Sequence, residues 1–234
     1  MATTTMTAAE EPSSPTTLQR SIEANHRIAN ELGQLAALLA RQIKSAEQGP
    51  AMVPRASLID ALRLHHSRLL GISRLHHAIS RQPDQDLVDL TQILTDLFGE
   101  FEASGVFEHR LRLEWTLAPL CVVDAAQASA MTLAFSEIVT NALKYAHPTG
   151  LPVEMTVSAA PASDGTVALS VSDDGVGLPE GFVESRHAGV GLKLVRSLVE
   201  GVGGRIEMSS SELGLTFRID LPRSGAAPRS WRNE

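Results

Sequence analysis

The apolar residues of this chain keep one spacing up to about residue 106 and another after it, and that change of period constrains the fold more than any other feature. Leu18, Ile22, Asn25, Ala29, Leu32, Ala36, Leu39 and Ile43 alternate steps of four and three, the seam of a helix packed against partners in a bundle. Gly49, Pro50 and Pro54 of QGPAMVP stop that helix. The seam then recurs at Leu58, Leu62, His65, Leu69, Ile72, His76 and Ile79, which makes a helical hairpin. RQPDQD supplies a connection with a helix start, and LVDLTQILTDLFGEF reads as one further, shorter helix.

From about Arg110 the period becomes two. LRLEWTL alternates, CVV is a second short apolar run, and the region 124–146 is helical. VEMTVSAA and TVALSVSD read as strands joined by the turn residues of PASDG. A helix over roughly 190–202 precedes two closing strands, GRIEMSS and GLTFRIDLP, with a turn at SELG. Strands joined by turns, with helices set apart, predict an α+β chain: an N-terminal helical hairpin, then a two-layer α/β sandwich on a mixed, mostly antiparallel sheet. The expected divisions are a disordered tail (1–16), a helical part (17–106), the sandwich (107–223) and a flexible tail (224–234).

Composition narrows the function classes. At 234 residues each half can bury a core of its own. The net charge is −7 and Lys and Arg are scattered, which argues against a nucleic-acid partner. No apolar run approaches the roughly 20 residues of a membrane span. The opening MATTTMTAAEEPSSPTT has neither a basic n-region nor an apolar h-region, so the expectation is a cytoplasmic protein. The lone Cys121, in LCVV, reads as a small buried hydrophobe.

Chemistry concentrates in three pieces of the second half. On the helix 124–146, Glu137, Asn141 and Lys144 stand at i, i+4 and i+7, along one face. An acid, an amide and a cation so stacked suit a magnesium-bound polyphosphate, although a solvated helix face would read the same way in isolation. In SVSDDGVGLP a strand runs into Asp173, whose carboxylate can accept from an exocyclic amine. Gly175 and Gly177 follow, and both can take positive φ and let the backbone approach a ligand. Asp and Gly are also ordinary turn residues. Gly189 and Gly191 open an amphipathic helix, and a glycine-rich helix N-terminus is an anion site.

The histidines sort by their helical position. His26 lies roughly 80° from its seam, with Glu23 at i−3, Asn30 at i+4, and the small Gly33 and Ala37 continuing that side. A neutral imidazole there is a competent nucleophile near pH 7, since its unperturbed pKa is about 6.5. His65 and His76 fall on the second seam and read as interior residues, His66 and His77 as solvated ones. His147 and His187 flank the region of these three pieces, where either could contact a ligand. A metal cluster of His65, His66, His76 and His77 is disfavoured because adjacent residues on a helix point apart.

In this order and on these elements, the three pieces resemble the nucleotide-binding domain shared by sensor histidine kinases, DNA gyrase, the MutL mismatch-repair proteins and the ninety-kilodalton heat-shock chaperone. The resemblance covers about residues 110–222. It implies ATP and Mg²⁺. Asn141 would hold the metal, Glu137 would act catalytically by orienting water at the metal or reacting phosphate, and Lys144 would meet the phosphates. Asp173, with Gly175 and Gly177 as the first glycine box, would accept from the adenine amine. Gly189 and Gly191 would lend backbone amides across a short lid of about residues 178–188, whose sole aromatic is Phe182.

The stretch LQRSIEANHRIANELGQLAALLARQ resembles the phosphoacceptor helix of histidine kinases with an H-R-x-x-N box, related to the HWE type. LLGISRLHHAISRQPDQDLVDL resembles its second helix. Ala29 stands where Lys is frequent and Glu31 where Asn is. The implied reaction is phosphorylation of His26 from Mg-ATP, followed by transfer to an aspartate of a response-regulator receiver domain. Residues 17–106 would then be the dimerisation and phosphoacceptor domain, pairing as a homodimer; a monomer whose hairpin packs on its own third helix is the alternative. With no sensor domain before residue 17, the expectation is a separate sensor protein or a fragment. Two other readings stay open: a serine kinase of the anti-sigma-factor type, and a non-catalytic phosphotransfer or scaffold protein.

Overall fold

The computed structural model describes residues 17–49, scattered positions between 52 and 76, and residues 87–103, 110–163 and 165–222. The expected tails 1–16 and 224–234 lie outside them. The chain divides into two compact units, residues 1–45 and 46–234.

The first unit contains nearly all of helix α1 (Thr17–Glu47), which ends where Gly49 and Pro50 were expected to end it. Its apolar seam faces outward: Leu32, Leu39 and Ile43 are exposed, as are Ala29 and Ala36, whereas Leu35 and Leu38 are buried. In the second unit, the described positions between 55 and 76 are helical. Their seam is likewise exposed at Leu58, Leu62 and Leu69 and buried at Ile72.

The stretch expected as a third helix begins differently. Leu87–Asp89 is a strand, β1, and helix α2 starts only at Leu90 (Leu90–Ala103). After β2 (Leu111–Leu117), the strand β3 (Val122–Asp124) pairs antiparallel with β1, matching Leu87 to Asp124 and Asp89 to Val122. The ladder satisfies the β1 backbone, and Asp89 Oδ1 accepts from the Thr91 amide at 3.0 Å to start the helix. The apolar spacing through Leu87 and Leu90 is helical, but pairing with a strand over thirty residues later decides the conformation. Phe98 and Phe101 of α2 then stack on Phe135, and Phe98 also meets Trp115, with centroids 4.9, 6.1 and 5.0 Å apart. Aromatic burial of this kind ties α2 into the sandwich core.

The main sheet also contains β4 (Val153–Pro161), β5 (Val167–Asp173), β6 (Arg205–Ser211) and β7 (Gly214–Leu221), in the order β2-β4-β5-β7-β6. Only β2 and β4 run parallel; the other neighbours are antiparallel. Alternate residues of β4 (Val153, Met155, Val157, Ala159) are buried, while Glu154, Thr156 and Ser158 are exposed, so one face carries the core and the other is polar. The helices α3 (Ala125–Tyr145) and α5 (Val190–Gly201) pack against each other; between β5 and α5 runs a segment that includes the short helix α4 (Glu184–His187). A capping box starts α3: Asp124 Oδ1 accepts from the Gln127 amide, and the Gln127 side chain accepts from the Asp124 amide.

Candidate functional site

Helix α3 carries its three polar residues from core to solvent. Glu137 is fully buried, Asn141 half-buried and Lys144 exposed. A solvated face would leave the acid in water; instead the acid is deepest, beside buried Thr140 and Ser136, whose hydroxyls bond back to the carbonyls four residues earlier. Asn141 Nδ2 is buried and has no hydrogen-bond partner. An unsatisfied buried amide costs about 1–3 kcal/mol, so this side chain is organised for a group other than the protein. The same amide also carries an oxygen, the ligand type Mg²⁺ takes.

The end of α3 meets the end of β5. Gly175 lies directly against Ala146, where an added Cβ would sit 2.5 Å from Cα, and the Val176 amide donates to the Ala146 carbonyl at 2.9 Å. Asp173 Oδ1 accepts from the amides of Gly175 (3.0 Å) and Leu215 (3.3 Å), which orients the carboxylate and leaves Oδ2 as the oxygen for a ligand donor. Burial raises the Asp173 pKa above its ordinary value, and the Asp174 charge adds to that. The two backbone bonds and His147 oppose it. Gly177 has φ +68°, and its would-be Cβ overlaps Ser211 and Ser210, so here the close approach is to β6.

At the start of α5, Gly189 is the N-cap residue; no heavy atom lies within 4 Å of where its Cβ would stand. Gly191, two residues on, is buried. Glycine with open space at a helix N-terminus lets an anion reach the backbone amides. The residues present thus fit Mg-ATP: an unpaired amide, an oriented carboxylate and an open helix start.

The structure brings Gly175, in the loop after Asp173, against Ala146 at the end of α3, on which Glu137, Asn141 and Lys144 are borne, and packs Gly177 on β6. His26 lies within α1; its side chain is outside the described residues, as is that of Glu23. Asn30, Gly33 and Ala37, on the same side of that helix, are exposed. Three side chains, those of Asp174, Glu184 and Arg196, were not anticipated. Asp174 bonds His147 Nε2 at 3.0 Å and accepts from the Glu154 amide, pinning the loop after β5 to the end of α3 and to β4. Glu184 and Arg196 form a forked ion pair between α4 and α5. Among the described residues no group of three or more His, Cys, Asp and Glu could hold a metal. Cys121 is buried, as expected.

Comparison with known proteins adds the family. Residues 126–225 match the profile of the histidine kinase-, DNA gyrase B-, and HSP90-like ATPases, and residues 23–104 match a histidine kinase profile. The chain carries the two domains of a histidine kinase. It is 27% identical over 207 residues to the sensor histidine kinase PdtaS of Mycobacterium tuberculosis, covering 87% of this chain and 40% of that protein. It is 24% identical over 226 residues to blue-light-activated histidine kinase 2 of Erythrobacter litoralis, covering 94% of this chain and 62% of that one. The chain therefore spans 40% of the first relative's length and 62% of the second's, less than two thirds of either.

Among solved structures, the histidine kinase domain of the Erythrobacter litoralis EL346 blue-light-activated histidine kinase aligns with a TM-score of 0.63 at 20% identity, over 87% of this chain and 93% of that one. The fold is thus that of the histidine kinase core, including a helical N-terminal part and an ATPase-type sandwich. No helix among the described residues is long and apolar enough to cross a membrane.

Proposed function

We propose that this kinase phosphorylates His26 from Mg-ATP and passes the phosphoryl group to an aspartate of a response-regulator receiver domain. The observation that carries the reading is the buried, unpartnered amide of Asn141, next to the buried Glu137 on a helix whose end holds the Asp173 loop. Asn141 and Glu137 would hold Mg²⁺ and its water, Lys144 the phosphates, Asp173 the adenine amine, and the amides at Gly189 and Gly191 the phosphate chain. Bound Mg²⁺ would neutralise phosphate charge, and positioning would carry most of the catalysis.

In the transfer, a ring nitrogen of His26 attacks the γ-phosphorus. The new P–N bond forms as the bridging P–O bond breaks, and ADP leaves. Glu23, at i−3, would take the proton of the other ring nitrogen in a hydrogen bond and so set the tautomer. In the second step the P–N bond is exchanged for a P–O bond on the receiver aspartate. The exposed seams of α1 and of the helical positions 58–69 support a homodimer with residues 17–106 as its interface and 107–223 as the ATP-binding part. A cytoplasmic setting belongs to the same proposal.

The deciding experiment incubates the protein with γ-labelled ATP. His26→Gln is expected to keep nucleotide binding and lose the label; Asn141→Ala is expected to lose magnesium-dependent labelling. The label should be acid-labile, as phosphohistidine is. Full labelling of His26→Gln would move the acceptor elsewhere, and acid-stable label would favour the serine kinase.

A further inference from the structure

We propose that Arg196 and Glu184 form a latch that positions the lid over the phosphate site, which makes Arg196 a positioning residue for binding the ATP phosphates. The inference rests on the kinase reading above and adds to it what holds the lid.

The segment between the two glycine boxes is attached at two points. At its start the Leu178 amide donates to Ser210 Oγ of β6 at 2.7 Å. Gly181, with φ +72° and no atom within 4 Å of a would-be Cβ, then lets the chain reverse, and the Phe182 amide closes the turn on the Pro179 carbonyl. The second attachment is Glu184, the first residue of α4. Its two carboxylate oxygens take Nε and Nη2 of Arg196 at 2.5 and 2.6 Å. The third nitrogen, Nη1, bonds Glu200 at 3.1 Å and the Ile206 carbonyl at 3.5 Å. The guanidinium thus joins the lid, the middle of α5 and the start of β6. A planar fork on a carboxylate fixes direction as well as distance, which a single ammonium would not.

Two features show that the latch positions a movable element. The lid carries little apolar anchoring: Val183 is exposed, Leu178 and Phe182 are only half-buried, and among its described residues Ala188 alone is buried. Between the lid and the end of β6 lies an open cavity of about 780 Å³, lined by Leu178, Phe182, Met208, Ser210 and Glu212 among others, which gives the lid room to shift. Beyond α4 the chain enters Gly189 and the first turn of α5, whose amides face the phosphates in the kinase reading. Arg196 stands less than two turns along that same helix. Holding α4 to α5 therefore sets where the lid places those amides, and affects the triphosphate without touching the adenine end at Asp173.

The test compares the wild type with Glu184→Gln and Arg196→Lys. Glu184→Gln removes charge from the lid alone and leaves Arg196 its bonds to Glu200 and Ile206, so the sandwich keeps its contacts. The KM for ATP in autophosphorylation is expected to rise roughly tenfold with kcat within about twofold, as a misplaced binding group requires. Affinity for a non-hydrolysable Mg-ATP analogue should fall in parallel, and affinity for AMP should not. Arg196→Lys, with charge but no fork, should fall between. An unchanged KM and analogue affinity in Glu184→Gln would overturn the latch alone. Equal losses for AMP and the triphosphate, or a lower melting temperature with unchanged KM, would make the pair merely structural and overturn it too. A wild type that binds no nucleotide would sink the kinase reading, and the latch with it.

Discussion

The two glycine boxes of this chain use the same residue for opposite reasons. Gly175 and Gly177 are crowded by the protein itself, the first by Ala146 at the end of α3 and the second by Ser210 and Ser211 of β6, with φ +68° at Gly177. Gly189 has an ordinary φ of −63° and open space around it. In the first box glycine lets three elements converge, so the requirement is met before any ligand arrives. At Gly189 of the second, the fold would accept a side chain, and only a ligand or a moving lid requires its absence. A glycine motif can thus mark a site either by building it or by keeping it accessible.

That contrast orders the expected effects. Gly177→Ala should be the most damaging, combining left-handed strain with overlap against backbone, on the order of 3 kcal/mol or more in denaturant unfolding. Gly175→Ala should cost about 2 kcal/mol by pushing the loop off Ala146, and should weaken ATP binding because Asp173 moves with it. If either variant melts like wild type, the first box is not the structural one.

Asp173→Asn separates the box's chemistry from its architecture. The raised Asp173 pKa means that the fold favours the protonated carboxyl. Its contribution to stability is therefore present at low pH, below its ordinary value of 3.8, and is lost as pH rises through the raised folded value. At neutral pH the neutral Asn should keep or raise the melting temperature while nucleotide affinity falls at least roughly tenfold. In the wild type, ATP affinity should weaken on acidification at a higher pH than an ordinary aspartate would cause, measured by titration across that range; affinity flat to pH 4 would contradict the assigned role.

The smallest effect on stability belongs to Gly189→Ala, under about 1 kcal/mol, the cost of Ala at a helix N-cap. Its ATP affinity should nevertheless fall several-fold. If Gly189→Ala unfolds as readily as Gly177→Ala, the contrast between the boxes fails.

Much of this was legible along the chain because it depends on local spacing. The helical span of α3 was read at 124–146 and is observed at Ala125–Tyr145. The face shared by Glu137, Asn141 and Lys144 follows from 3.6 residues per turn. The strand Leu87–Asp89 was not legible, since its own spacing is helical and its partner β3 lies over thirty residues away. The latch was equally hidden. Glu184 and Arg196 are twelve residues apart on different helices, and no periodicity relates them.

The sequence by itself determined the two architectures, the elements of the sandwich and the residue types available for chemistry, because side-chain period and turn chemistry act over a few residues. Only the tertiary structure decided that Glu137 is buried rather than solvated, that the Asn141 amide lacks a partner, and that the α1 seam faces outward. It also decided that one pair of glycines is packed shut while Gly189 stands open. Burial, hydrogen-bond satisfaction and steric room are set by atoms distant in sequence, so they exist only once the chain has closed on itself.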